Sequence, residues 1–166
     1  MKILLPIDQS QFSQEALRTL LSLVRPERNQ VHVLHVIEHS PLYVSADMVP
    51  HIVKETEHLE RERVAEARVL VNRAAARLRG AGIRARGVVE KGDAKSVIIN
   101  YARTWGANLI VVGSHGLKGL GRVLMGSVSN ALIHHADCSV QVVRVPTTKR
   151  RAKRKTRSTG RTQSGR

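Results

Sequence analysis

Five short apolar runs recur along this chain, at residues 2–7, 31–37, 83–90, 108–112 and 140–145, and each gap between them carries apolar residues at helical spacing. Few architectures can use such an alternation. The run at 31–37, Val-His-Val-Leu-His-Val-Ile, is apolar at nearly every position, which suits a strand covered on both faces. The gaps are long enough to carry the chain back across a sheet for parallel pairing. The expected fold is α/β: a single doubly wound five-stranded parallel sheet with helices on both faces, Rossmann-like in plan.

The helices follow from spacing and punctuation. Phe12, Ala16, Leu17, Leu20, Leu21, Leu23 and Val24 mark a first helix that starts after the turn Asp8-Gln9-Ser10 and stops before Pro26. A long charged helix is expected from about residue 51 to 78, with Leu59, Val64, Ala67, Leu70, Val71, Ala74 and Leu78 on its inner face and Gly80 and Gly82 after it. A third begins at Asp93 or Ala94 and ends at Gly106, and a fourth carries Val128, Ala131, Leu132 and Ile133. In the third strand Arg84 and Arg86 alternate with smaller residues, as at a sheet edge with one wetter face. Residues 38–50 read as a loop.

At 166 residues the chain suits one domain with a proper core. Aromatic residues are only 2% of it, so Val, Ile, Leu and Ala must build that core. No apolar run approaches the ~18 residues of a membrane span, and Asp8 arrives before a signal-peptide core could form. A soluble, cytoplasmic protein without membrane insertion is expected, and the single Cys138, which rules out an internal disulfide, fits a reducing compartment. The formal charge of +15 is largely a property of the C-terminal segment, where residues 147–166 hold nine Lys or Arg and no acid. The expected division is therefore a folded domain over 1–146 and a basic tail over 147–166 too polar to repay the entropy of ordering.

Chemistry concentrates between Gly113 and Ser127, after the fourth apolar run, where Gly113, Gly116, Gly119, Gly121 and Gly126 punctuate a stretch that leads into a helix. Glycine allows unusual backbone angles and close approach, and helix N-terminal amides donate to anions, so such a stretch suits phosphate. Residues 114–136 contain no Asp or Glu but do contain Lys118 and Arg122. The P-loop spacing fails, because Arg122 and Val123 stand where Lys and Ser or Thr belong, and Leu124 replaces the third glycine of a dinucleotide fingerprint. In a doubly wound sheet the ligand sits beyond the strands' carboxyl ends where strand order reverses, which makes the loop holding Asp8 the partner of this one.

The spacing Gly113, two residues, Gly116, nine residues, Gly126, Ser127 resembles the nucleotide-binding signature of the universal stress protein family in its ATP-binding branch. Pro6-Ile7-Asp8-Gln9-Ser10, Leu34-His35-Val36-Ile37, Gly92-Asp93 and the closing strand fall in family order, so the resemblance spans nearly the whole domain. It implies the adenine nucleotide alpha hydrolase-like variant of the fold and a regulator or sensor in the stress response that binds ATP, with or without Mg2+. Asp8 matches the family acid at the ribose, and Val36 the residue whose backbone reads adenine. Gly113, Gly116, Gly126, Ser127 and Val128 match the loop that wraps ribose and phosphates, with Pro6, Ile7 and Val112 flanking them. Ile7 stands where many members have a small or polar residue. The resemblance also implies a homodimer paired through the last strand, 140–145.

Other readings of the same residues stay open at this level. Asp8 or Ser127 can serve simply as a helix N-cap. Ser114 lacks the glycine spacing of a nucleophile elbow. The pocket could support a slow ATPase or phosphotransferase, although no general base and no two-carboxylate magnesium site stands out. The tail could instead associate with DNA or RNA through charge alone, since it has no interleaved aromatic residues. Under that reading, DNA binding by the full chain falls steeply between low and physiological salt and is lost when the chain is cut after Pro146. Equal binding by the shortened chain in a filter or gel assay refutes it.

Overall fold

The computed structural model describes residues 1–38, 49–116 and 125–145. Its elements run β1 (Lys2–Pro6), α1 (Gln11–Leu23), a 3-10 turn (Pro26–Arg28), β2 (Gln30–Ile37), α2 (Val49–Gly80), β3 (Arg84–Lys91), α3 (Ala94–Trp105), β4 (Leu109–Gly113), α4 (Ser127–His135) and β5 (Ser139–Val143). The five strands form one parallel sheet in the order β3-β2-β1-β4-β5. β1 is the central strand, and the winding reverses between β1 and β4, so the crevice expected of this topology opens beyond their carboxyl ends.

Strand alternation divides the core. Ile3, Leu5, Val31, Val33 and Val111 pack with Ala16, Leu17 and Leu20 of α1 and Val71, Ala74, Ala75 and Leu78 of α2. Leu4, Leu34, Ile110 and Val112 turn to the other side and meet Ile98 and Ala102 of α3 and Leu132 of α4. Neighbouring residues of a strand point to opposite faces, so a strand inside two helical layers must be apolar throughout. Each fully buried Leu or Ile contributes about 1.5–3 kcal/mol relative to exposure.

The architecture agrees with the sequence reading, with local differences at element ends. β5 stops at Val143, so Arg144, which is exposed, and Val145 lie past the strand. α2 begins at Val49 and takes in both Pro50 and Gly80. Proline is tolerated there because the first helical turn has no intrahelical acceptor for the N–H it lacks. The 3-10 turn after α1 has no signal in the periodicity. The loop expected at 38–50 and the basic tail fall mainly outside the described residues.

One buried polar cluster lies away from the carboxyl edge. His32 of β2 is 3% exposed, stacks on Trp105 with ring centroids 3.7 Å apart, and shares a 2.8 Å hydrogen bond with the Tyr101 hydroxyl through Nδ1. Its Nε2 is buried without a hydrogen-bond partner. Burial first, and then the positive charges of Arg86 and Lys2, hold its pKa down at about 4, from 6.5. The folded state therefore keeps His32 neutral while the unfolded chain takes up a proton below pH 6.5. Stability is fully present above that pH and declines as pH falls towards about 4, by up to one proton's worth of linkage. Denaturant melts from pH 7 to 4 should show this decline in the native chain and a shallower one in His32→Asn, which keeps a hydrogen-bond partner for Tyr101 without titrating.

Candidate functional site

Asp8 follows β1 at the crevice, and its position is set by two serines of the next turn. Its Oδ1 accepts from the Ser10 amide at 3.0 Å, the Ser10 hydroxyl at 2.5 Å and the Ser13 hydroxyl at 2.6 Å, while the Asp8 amide donates to Ser13 Oγ at 2.9 Å. Ser10, not Asp8, is the N-cap of α1, accepting from the Ser13 amide at 3.2 Å. The carboxylate is thus oriented by its neighbours, with Oδ2 turned to Gly116, where an added Cβ would lie 2.9 Å away. An acceptor-only group so placed suits hydroxyl donors and repels phosphate.

The β1 end is held from the β2 side. The Ile7 amide donates to the Leu34 carbonyl at 2.8 Å, and His35 donates through Nδ1 to the Ile7 carbonyl at 2.8 Å. Pro6 and Ile7 are buried, and Val112 is 7% exposed, so their side chains belong to the core. Val36 is half-buried beside the α3-side core, two residues past the Pro6–Leu34 register, where β2 extends beyond the end of β1.

Across the reversal, β4 ends at Gly113, and a Cβ there would stand 2.7 Å from the Phe12 carbonyl carbon and 2.8 Å from its oxygen. Gly113 is needed for the approach of β4 to α1. His115 packs its ring on Phe12 with centroids 4.9 Å apart, and its Nδ1 lies 3.1 Å from the Ser114 hydroxyl. Among the described residues the positive-φ glycines are Gly82, Gly92 and Gly106, so Gly113, Gly116 and Gly126 serve by lacking a side chain rather than by left-handed backbone. Residues 117–124, with Lys118 and Arg122, lie outside the described residues.

The far end of the loop returns to its start. The Gly126 amide donates to the Ser114 carbonyl at 2.8 Å, and buried Ser129 donates to the same carbonyl at 3.1 Å and to Gly126 O at 2.9 Å. The Ser114 amide in turn donates to the Val143 carbonyl of β5 at 2.7 Å. Ser127 opens α4 and is exposed to solvent in part, whereas Val128 packs towards the core. The N-cap is Gly126, with no side-chain cap bond, so Ser127 is not the cap. α1 and α3 are capped by side-chain oxygens of Ser10 and Asp93, and α4 is not. Among the described residues, its first amides and the positive end of its dipole are therefore without a carboxylate or hydroxyl cap, which suits an anion.

Asp8, Gly113, Gly116, Gly126 and Ser127 are thus gathered around one crevice by residues to which the sequence alone assigns no role at the site. Those are Ser10, Phe12, Ser13 and Ser129. Serines at 10 and 13 have the spacing of an N-cap and its N3 partner, which is the available signal; nothing local marks Phe12 or Ser129.

The family model described as the universal stress protein family matches residues 1–144. A universal stress protein of the cyanobacterium Synechocystis, Sll1388, is 34% identical over 151 residues, covering 86% of this chain and 96% of that protein. Among solved structures, UspA from Lactobacillus plantarum superposes with a TM-score of 0.75 at 23% identity, covering 87% of this chain and 97% of its own. A family protein from Arabidopsis thaliana, At3g01520, solved with AMP bound, superposes with a TM-score of 0.64 at 17% identity over 88% of this chain and 92% of its own.

Glycine substitutions should separate packing from binding within the loop. Gly113→Ala should lower the thermal midpoint by the equivalent of about 1–3 kcal/mol, because the clash is with α1 backbone. Gly116→Ala meets a single side-chain oxygen, Asp8 Oδ2, rather than backbone, and should lower the midpoint less. Equal melting of the two by calorimetry would refute the distinction.

Proposed function

Because this chain belongs to the universal stress protein family, we propose that it binds an adenine nucleotide, ATP above others, in the crevice between Asp8 and the start of α4, and acts in the stress response as a regulator or sensor. The observation that carries this reading is the pairing of an oriented carboxylate with an uncapped helix N-terminus on opposite sides of the β1/β4 reversal. Ribose hydroxyls have their acceptor in Asp8 and phosphates their donors in the Ser127 and Val128 amides that follow Gly126, in a stretch without acids from 114 to 136. The AMP bound by the Arabidopsis relative supports the adenine class.

In this reading the backbone of Val36 and Ile7 lies on the base side, with Pro6 and Val112 shaping the floor through the core. Gly116 leaves room between Asp8 and the loop, and Gly113 keeps the loop against α1. Mg2+, where present, accompanies the phosphates and takes its ligands largely from them, since the loop supplies no carboxylate. The protein works in the cytoplasm as a homodimer. The pairing surface is β5, an edge strand whose Val140, Gln141 and Val142 are only half-buried in the single chain and which a second copy would cover. No described helix is long and apolar enough to cross a membrane.

Two measurements test the reading. Mass spectrometry of nucleotide released from the natively purified protein should find an adenine nucleotide. Calorimetric titration should then give ATP affinity that falls at least about tenfold in Asp8→Ala, the loss of one well-placed charge-assisted hydrogen bond. Native affinity in that variant, or no binding of ATP, ADP or AMP by the native chain, would overturn it.

A further inference from the structure

The carbonyl of Ser114 is the point where both ends of the glycine-rich loop are joined. It accepts from the Gly126 amide and from the Ser129 hydroxyl, which also reaches Gly126 O. Ser114 and Ser129 are 4% and 2% exposed, so water does not compete for these bonds. There is no slack in the closure, since a Cβ on Gly126 would stand 3.1 Å from His115 Cα and 3.2 Å from Ser114 O. The Ser114 amide, on the other side of the same residue, is bonded to Val143, the last residue of β5.

We propose that Ser129 is a positioning residue, the latch that sets the gap between the loop's two ends and so the spacing of the amides at Ser127 and Val128 that face the crevice. Its position explains why a hydroxyl is required at a place that the core could otherwise fill. Ser129 is the third residue of α4, and one proton shared between the Ser114 and Gly126 carbonyls ties the start of the helix to the end of β4. Without it the Ser114 carbonyl keeps the Gly126 amide as its partner across that junction. The helix start can then tilt, and the amides lose the fixed spacing that an anion needs. Through the Ser114–Val143 bond the same latch is tied to the end of the β5 edge, so loosening at Ser114 and at the end of that strand occur together.

This rests on the nucleotide reading for its ligand but not for its geometry, and the test separates the two. Lys118 and Arg122, within 117–124, are tryptic sites, so the cleavage rate there, with fragments mapped by mass spectrometry, reports how firmly Ser114 and Gly126 are held together in the nucleotide-free full chain. Ser129→Ala should raise cleavage at these two sites about five- to tenfold while cuts within α2 keep their native rate, the effect of losing one buried hydrogen bond. Exchange of the Ser114 amide, followed by hydrogen–deuterium exchange, should quicken alongside. ATP affinity should weaken by a similar five- to tenfold factor, about 1 kcal/mol. Ser129→Thr, which keeps the hydroxyl, should restore all of these values. Native loop cleavage and native Ser114 exchange in Ser129→Ala overturn the latch, as does a Thr variant no better than Ala. If the native chain binds no adenine nucleotide the functional reading fails, and the cleavage and exchange measurements still decide the latch.

Discussion

Burial of β1 on both faces is the constraint from which the rest follows. Ile3, Leu4 and Leu5 are all 0% exposed, alternately facing the α1/α2 layer and the α3/α4 layer, while β2 and β4 take the strand's two hydrogen-bonding edges. A strand so enclosed cannot sit at a sheet edge. The chain then has to wind outward from it twice, through β2 and β3 on one side and β4 and β5 on the other. Right-handed crossovers place the helices of the two halves on opposite faces. The segments leaving β1 and β4 consequently part at the centre of the carboxyl edge, where a crevice opens with no crossing connection to fill it.

Polarity within that crevice is arranged by helix ends. A parallel sheet with returning helices collects helix N-termini at the carboxyl edge and C-termini at the other. Arg77 and Arg79 in the last turn of α2 and Arg103 of α3 stand where they offset the negative ends of their dipoles. At the carboxyl edge Ser10 and Asp93 occupy the starts of α1 and α3, whereas Gly126 leaves the start of α4 open. Among the described residues, the crevice thus has a helix start without a side-chain cap on one side and an oriented carboxylate on the other.

The fixed elements also explain why the loop is held so closely. His115 rests on Phe12, Gly113 lies against the Phe12 backbone, and Gly116 lies against Asp8, so α1, the Asp8 turn and the loop form one contact surface. Ser114 and Ser129 join the loop's ends to each other and to β5. The loop's closing bonds and the edge strand thereby share a residue, Ser114, through its carbonyl and its amide respectively.

The sequence by itself determined the kind and order of the elements, because burial on two faces, on one face or on a helical stripe each leaves its own period in the chain. It also determined the spacing of Gly113, Gly116, Gly126 and Ser127, the family signature, and the location of the acid at Asp8. Element ends were less legible: β5 stops two residues short of the apolar run's end and Pro50 falls inside a helix, since apolar character persists past the last ladder bond and proline costs little in a first turn. Only the tertiary structure decided what each glycine is for and that Ser129 bridges the two ends of the loop. Those facts depend on contacts between segments distant in the chain, Gly113 on Phe12 and Gly116 on Asp8 among them, which exist only once the strand order β3-β2-β1-β4-β5 brings the end of β4 beside the end of β1. Local periodicity carries no record of that order.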